Sequence, residues 1–379
     1  MARATTVAIT TSVLEWAIDQ SGFSLDELAE RLGISVPTVE GWLSGDSRPS
    51  LTELRALAMK LKRQVAVFLL PRPPRSTLPT VEFRKPSGTD RETLNYQERR
   101  AIREAASVQR VLSWIVQELG ADSPDLAKYD VDASPGEVAS SMRLRLGVSV
   151  QEQEQWSSSS VALHEWRGAL EALGVCVFML PLGKDSCRGF SLWDGNAPLV
   201  AANTSWNAEA RIFTLFHELG HLLTRTSSAC IEGKHRRGFS TSDTIERWCE
   251  RFAAAAILPI DSLRNYLTSR GWRPGRHIED IDKVRGVARR FKVSLRAATL
   301  RMIEAEAATW ELYASLPPLL DRRAAGGGGM GRNRAQIRRD QLGGRTVHLF
   351  ARGLERDVIG QADVLDYLNV GPSAFARML

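Results

Sequence analysis

The sequence predicts a multidomain chain. An all-α helix-turn-helix domain comes first, then a mainly helical α+β domain with a small sheet, then a small helical C-terminal appendage. Three observations carry this prediction. Short amphipathic segments with cap signals crowd residues 8–70. Helix, strand, hairpin and helix patterns follow one another from Val161 to Leu223. Two breaks punctuate the chain: the proline-rich stretch Pro71–Pro79 and the glycine-rich stretch Ala324–Gly331. At 379 residues the chain can hold two or three domains. Its 43% apolar and 25% charged content is that of an ordinary globular protein. No apolar run reaches bilayer length, and the N-terminus lacks a long apolar core, so a cytoplasmic protein with no membrane partner is the default.

In the first domain, Val13, Leu14, Ala17 and Ile18 form a helical stripe. Ser24 and Glu27 form a capping box that opens a helix through Leu28, Ala29 and Leu32, with Gly33 ending it. Ser35 with Pro37 starts the next helix, which passes Val39 and Trp42 and stops at Gly45. A further helix runs from Ser50 to Leu61. Two short helices joined by a tight glycine turn, set among other short helices, describe a helix-turn-helix. The series from Leu28 through Gly33, Ser35, Thr38, Trp42 and Gly45 to Pro49 resembles the Xre/Cro repressor type. In that type the second helix enters the major groove. Ser35, Thr38, Glu40 and Gly41, with Arg48 beyond the helix, are then the DNA-facing residues of a segment spanning 1–70. This head is not strongly basic: the first 80 residues hold nine Lys/Arg against eight Asp/Glu. A protein-docking bundle is the competing reading.

A charged helix over 91–119 ends in the apolar face Val108, Val111, Leu112, Ile115 and Leu119, and with the proline-rich stretch it fills a connecting segment, 71–134. The α+β domain is expected over 135–316. It opens with an amphipathic helix from Pro135 to Leu146, followed by a polar loop from Gln151 to Ser160 and a helix from Ala162 to Leu173. Val175–Leu180 is a strand-type apolar run. Gly189–Trp193 alternates, Asp194-Gly195 signals a hairpin, and Pro198–Ala202 is its second arm. A Gly/Arg-rich linker over 317–340 carries most of the excess positive charge, and 341–379 is the helical appendage, with Leu365, Tyr367, Leu368, Val370 and Phe375 as its apolar face.

The chemistry gathers in Phe213-Thr-Leu-Phe-His217-Glu218-Leu-Gly-His221-Leu-Leu, an H-E-x-x-H pattern inside an apolar helical run. His217 and His221 lie one turn apart on one helix face, so their imidazoles can converge on one metal ion. Glu218 projects from a neighbouring angle, where a carboxylate can take a proton from a metal-bound water. Catalytic zinc usually keeps three protein ligands, so a carboxylate is expected on a second helix. Thr244–Leu258 supplies Glu246 and Glu250, one turn apart; one can bind the metal while the other receives an N–H from a ligating histidine. The four cysteines, Cys176, Cys187, Cys230 and Cys249, have no C-x-x-C spacing and read as reduced thiols rather than metal ligands.

Gly189-Phe-Ser-Leu-Trp193, the run from Arg211 to Leu223, and Glu246-x-x-x-Glu250-x-Phe-Ala-Ala-x-x-x-Leu-Pro together resemble the ImmA/IrrE metallo-endopeptidases over roughly 135–300. The resemblance implies a zincin-like, gluzincin-type Zn²⁺ site with Glu246 as third ligand. Glu250 stands where members often have Asn or Asp. It also implies a protein substrate, an Xre-type repressor or an antitoxin-like protein, with a helix-turn-helix on the same chain. Zn²⁺ would polarise the scissile carbonyl and acidify its water, and Glu218 would move that water's proton to the leaving amine. Candidates for steadying the oxyanion are His235, Tyr266 and His277, each read first as structural or solvated. The phrase from Val287 to Ala298 resembles a second helix-turn-helix and is read as packing that completes the domain. The alternative function is a DNA-binding regulator or antitoxin whose peptidase-like domain senses or docks a partner with little turnover.

Overall fold

The computed structural model describes residues 6–21, 23–61, 63, 65–73, 82–83, 95–184, 186–226, 228–230, 241–316 and 333–379. Pro74–Pro79, the glycine-rich stretch with Arg322, Arg323 and Arg332, His235 and the Cys230 side chain lie outside those residues. The chain divides into two units, 1–79 with 91–104, and 80–90 with 105–379.

The first unit is all helix: α1 (Thr11–Ser21), α2 (Leu25–Leu32), α3 (Val36–Ser44), α4 (Leu51–Leu61) and a 3₁₀ turn at Val65–Leu69. Local sequence sets most of its boundaries. Ser24 Oγ accepts from the Glu27 N–H while Glu27 returns a bond to the Ser24 N–H, and Ser50 and Glu53 repeat the arrangement. Gly33 and Gly45 end α2 and α3 at φ of 71° and 84°, the left-handed region where only glycine is unstrained. Leu14, Leu28, Val39, Trp42, Leu54, Leu57 and Leu61 form the core, and Phe68 from the unforeseen 3₁₀ turn completes it.

Helix α5 (Tyr96–Glu118) contributes residues up to Glu104 to the first unit and the remainder to the second. Within the first unit, Tyr96 stacks on Phe23 at 3.8 Å between centroids. Within the second, Gln109 donates to the carbonyls of Leu192 and Ala197.

The second unit is the predicted mainly helical domain around a small sheet. It places β1 (Glu82–Phe83), β2 (Cys176–Leu180), β3 (Gly189–Leu192), β4 (Leu199–Asn203) and β5 (Ser228–Cys230) in the order β1-β5-β3-β4-β2. The hairpin pairs β3 antiparallel to β4, with Asp194 Oδ1 accepting from the Asn196 and Ala197 N–H groups in the turn. β2 runs parallel to β4. Both are continuous apolar runs, as strands covered on two faces should be. β1 and β5 were not anticipated, because two- and three-residue strands carry no alternation to read.

Around the sheet lie α6 (Pro135–Leu146), α7 (Val150–Gln155), α8 (Ser159–Ala172), α9 (Ala208–Leu223), α10 (Thr241–Ile257), α11 (Ile260–Ser269), α12 (Ile281–Phe291), α13 (Leu295–Glu304) and α14 (Trp310–Ser315). The segment expected as a polar loop, 151–160, is instead α7 and the start of α8. A further capping box, Ser149 with Glu152, opens α7, and its buried residue is polar: Gln153 donates to the carbonyls of Ile257 and Phe291. The second helix-turn-helix-like phrase does pack: Val287, Ala288, Phe291, Val293 and Ala298 join the domain core. Helices α15 (Arg334–Leu342), α16 (Gly344–Glu355), α17 (Gln361–Leu368) and α18 (Pro372–Ala376) form the C-terminal appendage, which lies against β2 and α8 and starts earlier than the expected 341–379, since α15 begins inside the stretch expected as linker, 317–340.

Candidate functional site

Asn207 opens α9 by accepting from the Ala210 N–H at 2.8 Å, and almost every residue from Ile212 to Leu223 is buried. The helix lies on β3, β4, α8 and α10. Two glycines set its distance from these neighbours. A Cβ on Gly189 would come within 2.4 Å of Thr214 Cγ2 and of the Ala201 carbonyl, so β3 runs directly beneath α9. A Cβ on Gly220 would meet Cys249 Sγ, Cβ and Cα at 3.0–3.2 Å, so α9 and α10 cross with almost nothing between their backbones. That close crossing brings the second helix's carboxylate to the histidines.

The result is a buried group of three. His217 Nε2 lies 3.2 Å from Glu246 Oε2, His221 Nε2 lies 3.3 Å from Glu246 Oε1, and the two Nε2 atoms are 3.2 Å apart. Metal–ligand bonds of roughly 2.0 Å put the corners of a tetrahedron roughly 3.3 Å apart, so the three donors stand at the spacing such an ion requires. Among the described residues this is the group of His, Cys, Asp and Glu side chains able to hold a metal ion. A His₂Glu donor set suits zinc. Cys187 is fully buried and does not belong to the group.

Electrostatics tie the three together. Burial opposes the charge on Glu246, but hydrogen bonds and attraction from His217 and His221 outweigh it and hold that carboxyl well below the usual carboxylate range. Burial likewise opposes charge on His217, and its bond to Glu246 overcomes this, so its pKa is raised. Glu218 is fully buried on α9, adjacent in sequence to His217.

Glu250, the residue expected to receive an N–H from a ligating histidine, hydrogen-bonds neither; its influence on His217 is through space. Thr226 stands against a histidine instead, with Oγ1 at 2.9 Å from His221 Nδ1. Glu250 sits one turn beyond Glu246, past the point where the helices are closest. Thr226 lies beyond the end of α9, and only a chain reversal at Arg225 returns it to the ring, which is why spacing alone could not single it out. Of the oxyanion candidates, Tyr266 packs its ring edge-on to Phe291 at 5.8 Å and His277 is exposed.

In the first unit, Ser35, Glu40 and Arg48 are exposed, and Thr38 is half-buried with its hydroxyl 2.9 Å from that of Ser35. Gly41 is half-buried, like Thr38. A Cβ there would fall 2.6 Å from Ser47 Oγ, and its carbonyl accepts from the Ser47 N–H, so it also seats the turn after α3.

Residues 170–302 match the family model described as the IrrE N-terminal-like domain of the M78 peptidases, and residues 14–68 match the helix-turn-helix model. No curated protein matches the chain at a significant level. His217, Glu218, His221 and Glu246 all fall inside the first match, and α1 to the 3₁₀ turn fall almost wholly inside the second. The chain thus carries a peptidase-family domain and a DNA-binding-type domain. No helix among the described residues is long and apolar enough to cross a membrane.

Proposed function

We propose that the chain is a zinc-dependent endopeptidase that cleaves a transcriptional repressor or an antitoxin-like protein, and that its own helix-turn-helix couples this activity to DNA. The convergence of His217 Nε2, His221 Nε2 and the Glu246 carboxylate at 3.2–3.3 Å carries the reading. In it, His217, His221 and Glu246 hold the ion. Bound there, zinc supplies the Lewis acidity and the activated water that peptide hydrolysis needs. Glu218 makes no part of the ligand group and is kept dry beside it, as befits a general base. It takes the proton of the attacking water and returns it to the leaving amine. The protein substrate is supported by the family match, and coupling to DNA by a helix-turn-helix on the same chain. Ser35, Thr38, Glu40 and Arg48 would face the DNA.

Metal analysis combined with Glu218→Gln tests the enzyme. The variant should retain one zinc per chain and lose cleavage of a repressor encoded beside the gene. Wild-type protein that binds no metal, or a variant that still cuts, refutes the reading. Binding to the protein's own promoter region should weaken with salt and vanish when residues 1–70 are removed.

A further inference from the structure

We propose that Thr226 is a positioning residue that holds His221 as the Nδ1–H tautomer and so aims its Nε2 lone pair at the metal. This rests on the reading of His217, His221 and Glu246 as ligands. Helix α9 ends in a tight reversal. Two backbone bonds close it: the Arg225 N–H to the Leu222 carbonyl at 3.2 Å, and the Thr226 N–H to the His221 carbonyl at 2.9 Å. This is the Schellman arrangement, which demands a left-handed residue between helix and exit, usually glycine. Here the position is Arg225, at φ 59°. Its side chain offsets the unfavourable backbone by local contacts. Nη1 donates to the Leu222 carbonyl at 2.7 Å, Nη2 donates to the Leu126 carbonyl, and the guanidinium lies 3.5 Å from the centre of the Trp193 ring. The reversal is thereby pinned, and it folds Thr226 back over His221 in the helix's last turn.

The atom that faces the metal sets the tautomer, and the hydroxyls beside the ring can accept it. Thr226 Oγ1 is 2.9 Å from His221 Nδ1, 2.9 Å from Thr224 Oγ1 and 3.3 Å from the His221 carbonyl. Thr224 Oγ1 has the Gly220 and His221 carbonyls at 3.2 Å each. Each hydroxyl can send its proton to a carbonyl or to the other hydroxyl. In either case Thr226 Oγ1 keeps a lone pair for the imidazole, and with Nε2 given to the metal it is Nδ1 that donates. A neutral imidazole that donates from Nδ1 presents an unprotonated Nε2, and Nε2 is the atom facing His217 and Glu246.

Zinc affinity of the full chain, measured by competition with a chromophoric chelator, tests this in wild type, Thr226→Val and Thr226→Ser. Valine keeps the shape and removes the acceptor; serine restores it. Valine should weaken zinc binding about 10- to 100-fold, the usual effect of removing such a partner, and serine should stay near wild type. Equal affinity in Thr226→Val and wild type, with matching melting curves for the metal-free proteins, overturns the proposal while leaving the ligand set standing. Wild type that binds no zinc overturns the ligand set itself and this proposal with it. A measurement on wild type guards against a valine variant that misfolds: imidazole ¹⁵N spectra of the zinc-loaded protein should show His221 metallated at Nε2 and protonated at Nδ1. Metallation at Nδ1 refutes the proposal.

Discussion

Gly220 decides whether the two halves of the site can meet. It occupies the fourth place of H-E-x-x-H, where the pattern itself asks for no particular residue, yet a methyl group there would press on Cys249 down to its Cα. Neither backbone can yield without moving Glu246 from the histidines. Gly220→Ala is therefore expected to lower unfolding free energy by about 1–3 kcal/mol, the usual cost of overpacking. It should weaken zinc binding in the same protein, whereas Ala at Cys249 should be tolerated. Thermal unfolding and metal titration on the two variants check this. At this scale the two histidines and Glu218 were legible, because helix geometry places side chains four apart on one face whatever surrounds them. The choice between Glu246 and Glu250 came only from the family resemblance, since spacing puts both on the same side of one helix and only the crossing with α9 selects.

Among elements, α10 shows how a polar interior fixes a functional helix. Its terminal carbonyls do not end in solvent. Arg143 Nη1 donates to Ala256 O at 2.7 Å, Gln153 Nε2 to Ile257 O at 2.7 Å, and Arg301 Nε to the adjoining Leu258 O at 2.9 Å. Positive charge at a helix C-terminus is also favourable to the helix dipole. Arg143 binds the Val148 carbonyl and Gln153 Oε1 as well, and burial lowers its pKa to about 10, which still leaves it charged at neutral pH. Arg143→Met keeps the bulk and strands these buried acceptors, each at about 1–3 kcal/mol. A loss of roughly 3 kcal/mol or more in urea unfolding is expected, and a change within experimental error would show that the bracket does not anchor α10. Gln153 explains why α7 was mistaken for a loop. Amphipathic reading looks for apolar residues facing inward, and here the inward residue is an amide whose partners lie over 100 positions away.

For the second unit as a whole, the C-terminal helices cover the edge of the sheet. The Cys176 N–H points to Pro198 O, toward β4, so the backbone groups of Val177 point outward. Arg167 Nη2 meets the Val177 carbonyl at 2.8 Å, and Nη1 meets the Asp340 carbonyl at 2.7 Å. Glu171 pairs with Arg167 and accepts from the Gly344 and Arg345 N–H groups at the start of α16. An uncovered edge strand is a template for pairing with another chain. Deleting residues 333–379 is therefore expected to produce a protein that self-associates and melts at lower temperature, seen by size-exclusion chromatography and calorimetry. A monodisperse truncation with an unchanged melting temperature would contradict this. The appendage was visible in the sequence as helices, but its place was not, because its partners Arg167 and Glu171 lie on α8, some 170 residues earlier.

By itself the sequence determined what depends on neighbours along the chain. It set the capping boxes and glycine stops of the first unit, the hairpin at Asp194, the one-turn spacing of His217 and His221, and the adjacency of Glu218. The tertiary structure decided what depends on backbones passing close together. Gly220 against Cys249 brings Glu246, and not Glu250, to the imidazoles. The reversal at Arg225 lays Thr226 on His221. Helical periodicity is a local property of the backbone. The approach of α10 to α9 depends on the missing side chain of Gly220 against Cys249, 29 residues on, and that fit appears only when both helices are packed.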